Sequence, residues 1–327
     1  MKHISILVPE GAASLGCIDG SYTLFTKANE FLVSKGSPPL FHVQLIGLGK
    51  AAQRYDHAFS VHPDLAIRDV LKTDLIIIPA VNGDMKNVIE SNREFLPWIA
   101  EQYKGGAEVA SLCVGAFLLA ATGLLKGRRC ATHWMAVNDF RKMFPDVDLV
   151  CDTIITDQDG LYSSAGALSF WNLLLHLLEK YTGREMAVFA SKYYEIEIDR
   201  NNQASFMMFN GQRDHQDEVV RKIQAFIEAE SQRKITVDQL STQFALGRRS
   251  LERRFKKATG ITVSEYIQNV KVEAAKKSFE TTRKNISEVM YQVGYSDNKA
   301  FRTIFKNITG MTPIGYRSKY NREAVMA

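Results

Sequence analysis

Near its C-terminus the chain writes one pattern twice. Arg254-Phe255-Lys256-Lys257-Ala258-Thr259-Gly260-Ile261-Thr262 leads to Tyr266, and Ile304-Phe305-Lys306-Asn307-Ile308-Thr309-Gly310-Met311-Thr312 leads to Tyr316. Phe255/Phe305, Lys256/Lys306, Thr259/Thr309, Gly260/Gly310, Thr262/Thr312 and Tyr266/Tyr316 all match at the single offset 305 − 255 = 50 residues. Self-similarity at a fixed period marks one supersecondary unit used more than once. Any fold assigned to this chain must therefore end in two units of one type, in tandem.

The apolar period and the turn residues say what each unit is. Val237, Leu240 and Phe244 form the stripe of a short helix, a break follows at Ala245-Leu246-Gly247, and Leu251 with Phe255 begin the next stripe at i, i+4. In the second copy Val289 and Val293 precede the turn Gly294-Tyr295-Ser296-Asp297, and Phe301 with Phe305 anchor the following helix. Gly294 suits a turn because a residue without Cβ reaches positive φ freely. The outward positions are Arg248, Arg249, Glu252, Arg253 and Lys256 in the first copy and Asn298, Lys299, Arg302 and Lys306 in the second. Such faces pair with phosphates and present Arg forks to guanine edges in a major groove. One basic helix alone is as readily a solvated charge face. Two of them behind matching turns favour nucleic acid.

The segment from about Gln224 to Tyr320 resembles the DNA-binding domain of AraC-type transcription regulators. The resemblance is carried by Ile286-Ser287-Glu288-Val289 through Val293-Gly294-Tyr295, then Phe301, Phe305-Lys306, Thr309-Gly310, Thr312-Pro313 and Tyr316-Arg317. It implies two helix-turn-helix units joined by a long helix, with recognition helices reading successive major grooves. Val263 to Thr281 would be that connector, with Tyr266, Ile267, Val270, Ala274 and Phe279 on its buried side. Two departures stand out: Gly247 replaces a frequent capping Ser, and Asn298-Lys299-Ala300 replaces a commoner Ser-Tyr pattern.

Charge divides the chain in the same place. Residues 217–327 hold 21 Lys and Arg against 12 Asp and Glu, a net of +9, which leaves −4 of the chain's +5 for residues 1–216. A basic excess confined to one part is the electrostatic footprint of a domain that meets a polyanion. At 327 residues the chain is also longer than one core needs. The expected division is an α/β domain over 1–198, a linker over 199–216 and the DNA-binding domain over 217–327. The linker reading rests on the polar stretch Ile198–Ala204 and Gln212–His215, with apolar Phe206-Met207-Met208-Phe209 docking on a domain surface.

The first part alternates apolar strands with amphipathic helices. Ile4–Val8, Phe41–Ile46, Leu75–Pro79 and Glu108–Leu112 read as strands, and Tyr22–Lys35, Lys86–Tyr103, Gly115–Leu125 and Ala167–Tyr181 as helices. Near-continuous apolar strands indicate a mostly parallel sheet covered on both faces. The expected fold class is α/β, a flavodoxin-like three-layer sandwich, followed by an all-α double helix-turn-helix domain. No apolar run has membrane-spanning length, so a soluble, cytoplasmic protein is expected. Cys17, Cys113, Cys130 and Cys151 show no CxxC spacing and no paired His, so neither metal nor cofactor is expected. His42, His62 and His176 read as core or surface residues.

Cys113 differs from the other cysteines in position. It closes a strand and precedes Val114-Gly115 and a helix, so its thiol is expected at the carboxyl edge of the sheet, where a helix dipole favours thiolate. Ser111-Leu112-Cys113-Val114-Gly115-Ala116-Phe117-Leu118-Leu119-Ala120, with Gly123-Leu124-Leu125 and Ala131-Thr132-His133-Trp134, resembles the PfpI-like class I glutamine amidotransferase domain over residues from about 3 to 195. The resemblance implies Cys113 as nucleophile, His133 as its base, and an acid after the first strand. That last position falls on Gly16, and neither Glu10 nor Asp19 matches it. Cys113 and His133 are accordingly read as vestiges of a catalytic pair, lining with Val114 and Gly115 a pocket for a small molecule.

A PfpI-like domain followed by an AraC-like domain resembles the GlxA-type branch of AraC-family regulators. That resemblance implies a sequence-specific activator whose non-catalytic α/β domain reports a small-molecule effector. Its expected partners are double-stranded promoter DNA, RNA polymerase and a second copy of the chain in a homodimer. The expected DNA contacts are Arg248, Arg249, Arg253, Asn298, Lys299 and Arg302 on bases or phosphates, with Lys256 and Lys306 on phosphates. A cysteine-dependent amidase or hydrolase with an accessory DNA-binding domain is the competing reading, and a nonspecific DNA-binding protein is a third.

Overall fold

The structure, a computed structural model, describes residues 1–55, 58–198 and 202–321. Internal contacts divide the chain into two units, Met1–Gln203 and Ala204–Ala327. From Ala204 onward, the stretch expected to be linker is thus counted with the second unit.

The first unit is built on a seven-stranded sheet. Its strands are β1 (Lys2–Val8), β2 (Phe41–Gly47), β3 (Leu65–Ala66), β4 (Leu75–Ile78), β5 (Glu108–Ser111), β6 (Ile155–Gln158) and β7 (Leu161–Ser164), in the spatial order β6-β7-β5-β4-β1-β2-β3. Every pairing is parallel except the hairpin β6–β7, with Ile4 opposite both Val43 and Leu75 and Ile76 opposite Val109. In β1 and β4 the residues Ile4, Ile6, Leu7, Val8 and Leu75 to Ile78 are all buried, as a strand covered on both faces requires. Helices α1 (Leu15–Ser34), α6 (Phe170–Thr182) and α7 (Arg184–Tyr193) pack together, and α2 (Met85–Ser91), α3 (Phe95–Lys104) and α4 (Ala116–Ala121) form a second group. Helix α5 (Val137–Met143) follows α4 and buries Phe140 against Phe117.

The three-layer expectation holds, with differences that have local causes. The helix read from Tyr22 starts at Leu15, so the loop after β1 is short. The helix read over Lys86–Tyr103 is two helices, because the buried Asn92 amide donates back to Val88 O (2.9 Å) and to Glu10 O (3.0 Å) and stops the first one. The hairpin β6–β7 was not expected. Its buried residues include Thr156, Ser163 and Ser164, which give no apolar alternation, and Thr156 and Ser163 satisfy one another at 2.5 Å.

The second unit is helical: α8 (Glu218–Ala229), α9 (Val237–Gln243), α10 (Arg248–Thr259), α11 (Val263–Thr281), α12 (Ile286–Gln292), α13 (Asn298–Thr309) and α14 (Pro313–Tyr320). The written repeat is a repeat of hydrogen bonds. Thr259 and Thr309 each donate to the carbonyl four residues back at 2.8 Å, and Gly260 and Gly310 end their helices at φ 78° and 71°. Thr262 and Thr312 cap the next helices, and the Tyr266 and Tyr316 hydroxyls donate to Glu228 (2.6 Å) and Glu280 (2.5 Å). Among the described residues no helix is long and apolar enough to cross a membrane.

Gly115 shows how tightly the strand-to-helix turn after β5 is packed. A Cβ there would sit 2.6 Å from Ile78 O and 2.7 Å from Pro79 O, which are backbone atoms with nowhere to go. Gly115→Ala is expected to destabilise the first unit by about 1–3 kcal/mol, the usual cost of overpacking. Urea titration of the full chain, followed by near-UV dichroism, checks this through an earlier first-unit transition.

Candidate functional site

Helices α10 and α13 carry the basic faces. Each buries Leu251/Phe255 or Phe301/Phe305 inward, which leaves Arg249, Arg253 and Lys256 exposed at i, i+4, i+7 on α10. On α13, Asn298, Lys299, Arg302 and Lys306 are likewise exposed. The two N-termini are built differently. Asp297 caps α13, its carboxylate accepting from Lys299 N (2.8 Å) and Ala300 N (3.3 Å), whereas Gly247 leaves α10 without a side-chain cap.

Arg248 is exposed but not free. Its guanidinium donates to both carboxylate oxygens of Asp238 (3.0 and 3.2 Å) and lies 3.5 Å from Glu252, so it braces α10 on α9. Arg254 turns to the opposite side, where it donates to Asp217 (2.6 Å) and holds that carboxyl below its ordinary range.

The stretch after Gln203 is strapped to the second unit. Tyr320 OH donates to Ser205 O (3.3 Å), Lys319 stands 4.8 Å over the Phe206 ring, and the Lys276 ammonium donates to Met207 O (2.5 Å). Phe209 N donates to Glu273 (3.0 Å), and the Phe209 ring meets Tyr266 edge-on at 5.1 Å. Of the stretch Phe206 to Phe209, Met207 and Phe209 are half-buried, whereas Phe206 and Met208 stay exposed. Sequence reasoning missed the anchors. Lys276 and Lys271 are 3% and 5% exposed, on a helix whose expected buried side contained no charge. Ala274, expected in that side, is only half-buried, and its neighbour Ala275 is buried. The capping boxes Thr262/Glu265 and Asn285/Glu288 were also missed, although T-x-x-E and N-x-x-E spacing signals them.

In the first unit Cys113 stands at the expected elbow with φ 56°, in the left-handed region that an L-residue enters only under constraint. Cys113 N donates to Ser164 Oγ (3.2 Å), and Thr132 Oγ1 donates to Cys113 O (3.1 Å). The thiol sits among the Ala167 and Val114 backbone amides and Cys17, all but buried, and desolvation pushes it up to about 11. This corrects the expected thiolate: burial outweighs the helix terminus. His133 has turned its Nδ1 to Met135 N (3.1 Å), which leaves the proton on Nε2, and its ring lies against Trp134 at 5.6 Å and over Gly166. Burial holds its pKa below the ordinary histidine value. Val114 and Gly115 are buried beside Cys113. The Glu10 carboxylate accepts from Gln53 (2.7 Å), away from any triad role, and Asp19 is exposed on α1. A separate groove of about 680 Å³ lies between α1 and Phe59 to His62, lined by Leu15, Ile18, Asp19 and Tyr22. His176 is a surface residue paired with Asp157 (2.9 Å). Among the described residues no cluster of His, Cys, Asp or Glu could hold a metal ion.

Comparison with known proteins agrees with this geometry unit by unit. Residues 33–180 match the DJ-1/PfpI family, and residues 240–319 match a helix-turn-helix domain. The chain is similar to the HTH-type transcriptional regulator GbdR of Pseudomonas aeruginosa, 25% identical over 264 residues that cover 77% of this chain and 68% of that protein. It is also similar to the HTH-type transcriptional regulator ArgR of the same organism, 28% identical over 211 residues, 64% of each chain and so just under two thirds of that relative. The fold of an AraC family transcriptional regulator from Pseudomonas putida superposes with a TM-score of 0.51 at 15% identity, over 59% of this chain and 100% of that one.

Two outcomes test the site geometry. Asp297→Ala removes the cap of α13 and is expected to cost about 1 kcal/mol, read as a lower urea midpoint of the second unit. Iodoacetamide at pH 8 is expected to alkylate Cys113 more than about a hundredfold slower than a free thiol, accelerating as pH rises toward 11, because only the thiolate reacts. Mass-spectrometric peptide mapping reads the rate, and labelling as fast as a model thiol would contradict it.

Proposed function

We propose that this chain, which belongs to the AraC family of DNA-binding transcription regulators and carries a DJ-1/PfpI-like domain ahead of its helix-turn-helix domain, binds a two-part promoter site and adjusts that binding to a small-molecule effector. The observation that carries the reading is the repeated basic face: two helices in equivalent positions of two equivalent units, each with its apolar side buried and its cations outward. Arg249 and Arg253 on α10 and Asn298, Lys299 and Arg302 on α13 are the proposed base or phosphate contacts, with Lys256 and Lys306 on phosphate. Arg248, whose Nη1 is held by Asp238 and whose Nε faces Glu252, contributes by bracing α10.

The elbow of the α/β unit is proposed to sense, not to catalyse. A protonated thiol, a histidine whose Nδ1 is already used and the lack of a matching carboxylate after β1 together remove the parts of a nucleophilic triad. What the elbow retains is a connection to the linker. Thr132 bonds the Cys113 carbonyl, and the buried Gln203 amide donates to Thr132 O (3.2 Å) and Cys151 O (2.9 Å) at the end of the first unit. Two residues later the strap on the second unit begins at Ser205. A ligand that alters the elbow or its rim therefore has a short hydrogen-bonded route to Gln203, from which the chain continues into the DNA-binding unit. Activation through RNA polymerase, homodimer formation and a cytoplasmic site of action are carried over from the family resemblance.

Footprinting of the full-length chain on its own upstream DNA, with excess random DNA present, is expected to protect two segments one helical turn, about 10 base pairs, apart. Arg253→Ala is expected to weaken that binding by about 1–3 kcal/mol if its guanidinium reads a base. Cys113→Ser is expected to leave basal operator affinity unchanged. Equal affinity for the selected site and for random DNA would remove the regulator reading, and turnover of an amide substrate lost in Cys113→Ser would replace it with the enzyme reading.

A further inference from the structure

The second unit has two hydrophobic cores, not one. The first gathers Val220, Ile223, Leu240, Leu251, Phe255 and Tyr266 with their neighbours, the second Phe279, Val289, Val293, Phe301, Phe305 and Tyr316, and no residue belongs to both. They meet on α11, where Val270 ends the first and Val272 begins the second. Lys271 lies between those two residues and is 5% exposed. Its ammonium donates to Arg233 O (2.7 Å), in the loop that precedes α9, and to Val293 O (2.6 Å), at the end of α12. One side chain thus ties the backbone of the first helix-turn-helix to that of the second.

The surroundings are built for this contact. Gly294 has φ 71°, and a Cβ there would meet Lys271 Nζ at 2.6 Å and the Arg233 carbonyl group at 2.9 Å, so the turn of the second unit rests on the backbone of the first. The Tyr295 ring lies 5.5 Å from the ammonium. Beside the junction a cleft of about 420 Å³ opens between the units, bordered by Thr236 and Arg248 on one side and Ser296 and Asp297 on the other. Arg248 and Asp297 stand at the starts of α10 and α13, so the width of this cleft is the separation of the two basic helices. Burial pulls Lys271 down to about 8, and its neutral amine still keeps two N–H donors, enough for both carbonyls on either side of that value.

We propose that Lys271 is a positioning residue that sets the spacing of the two recognition helices and thereby the spacing of half-sites the protein accepts on DNA. Packed side chains in separate cores leave the angle between units to the bending of one helix. Two charge-assisted hydrogen bonds of fixed length across the gap remove that freedom. A methylene chain of the same volume would fill the space but leave both carbonyls unsatisfied and the gap undetermined.

This inference rests on the regulator reading, and the experiment separates the two. The full-length chain is used to select its site from random duplex DNA, and the selected duplex is then remade with one or two base pairs inserted or deleted between its two contacted segments, and as a single half-site. Wild type is expected to lose affinity steeply with any change in spacing. Lys271→Met is expected to bind the selected spacing about tenfold more weakly, to bind the single half-site as wild type does, and to show a flattened spacing profile. Lys271→Arg, which can reach both carbonyls, is expected to restore the steep profile, and Gly294→Ala to flatten it. A Lys271→Met profile as steep as wild type, or an equal loss on the half-site, would overturn the positioning role. A wild-type chain that selects no sequence at all would overturn the regulator reading and this inference with it.

Discussion

Helix α11 carries two hydrophobic cores, one toward each of its ends, and is buried along much of its length. Val263, Tyr266, Ile267 and Val270 serve the first, and Val272, Ala275 and Phe279 the second. Each polar group that such a helix buries needs a partner placed for it. Lys271 finds two main-chain carbonyls, Lys276 finds Met207 O and Glu273, and the Tyr266 hydroxyl finds Glu228. These partners come from the loop between α8 and α9, the end of α12, the strap and α8. The one helix therefore decides where these segments must lie, and the two basic helices α10 and α13 pack on the cores it carries.

That dependence also explains what the amino-acid sequence could and could not convey. The repeat at 50 residues was legible because each unit reuses the same local devices, a threonine bonding back into its helix, a left-handed glycine, a capping threonine and a buried tyrosine, and local devices are written in adjacent residues. The strands β1 and β4 were legible for a similar reason, since full burial on both faces leaves an unbroken apolar run. The hairpin β6–β7 hides because serines and threonines that pair across it look like loop residues until they are paired. Asn92 breaks a helix through a bond to Glu10, 82 residues away in the chain, and nothing near Asn92 announces that.

At the sites the same boundary applies. Exposed cations on α10 and α13 follow from helical periodicity alone. The engagement of Arg248 by Asp238 depends on the angle between α9 and α10, and the buried lysines depend on carbonyls contributed by distant turns. Cys113 was placed correctly at its elbow, but its protonation was read from the helix terminus, a term of a few tenths to about 1 kcal/mol at an exposed end. Desolvation of a thiol that is all but buried is larger and of opposite sign, and only the packing of Ala167, Val114 and Cys17 reveals it.

The linker belongs to the same logic of short, anchored chain. Gln203 is held by its side chain at Thr132 and Cys151, and Ser205 by its carbonyl at Tyr320, so a single residue, Ala204, separates an anchor on one unit from an anchor on the other. A flexible tether absorbs displacement at little cost, whereas extended chain spans at most about 3.6 Å per residue. The strap in turn is bonded to Lys276 and Glu273 on α11, five and two residues from Lys271. The chain thus passes within a few residues from a buried anchor of the first unit to α11, the helix on which both cores of the second are built.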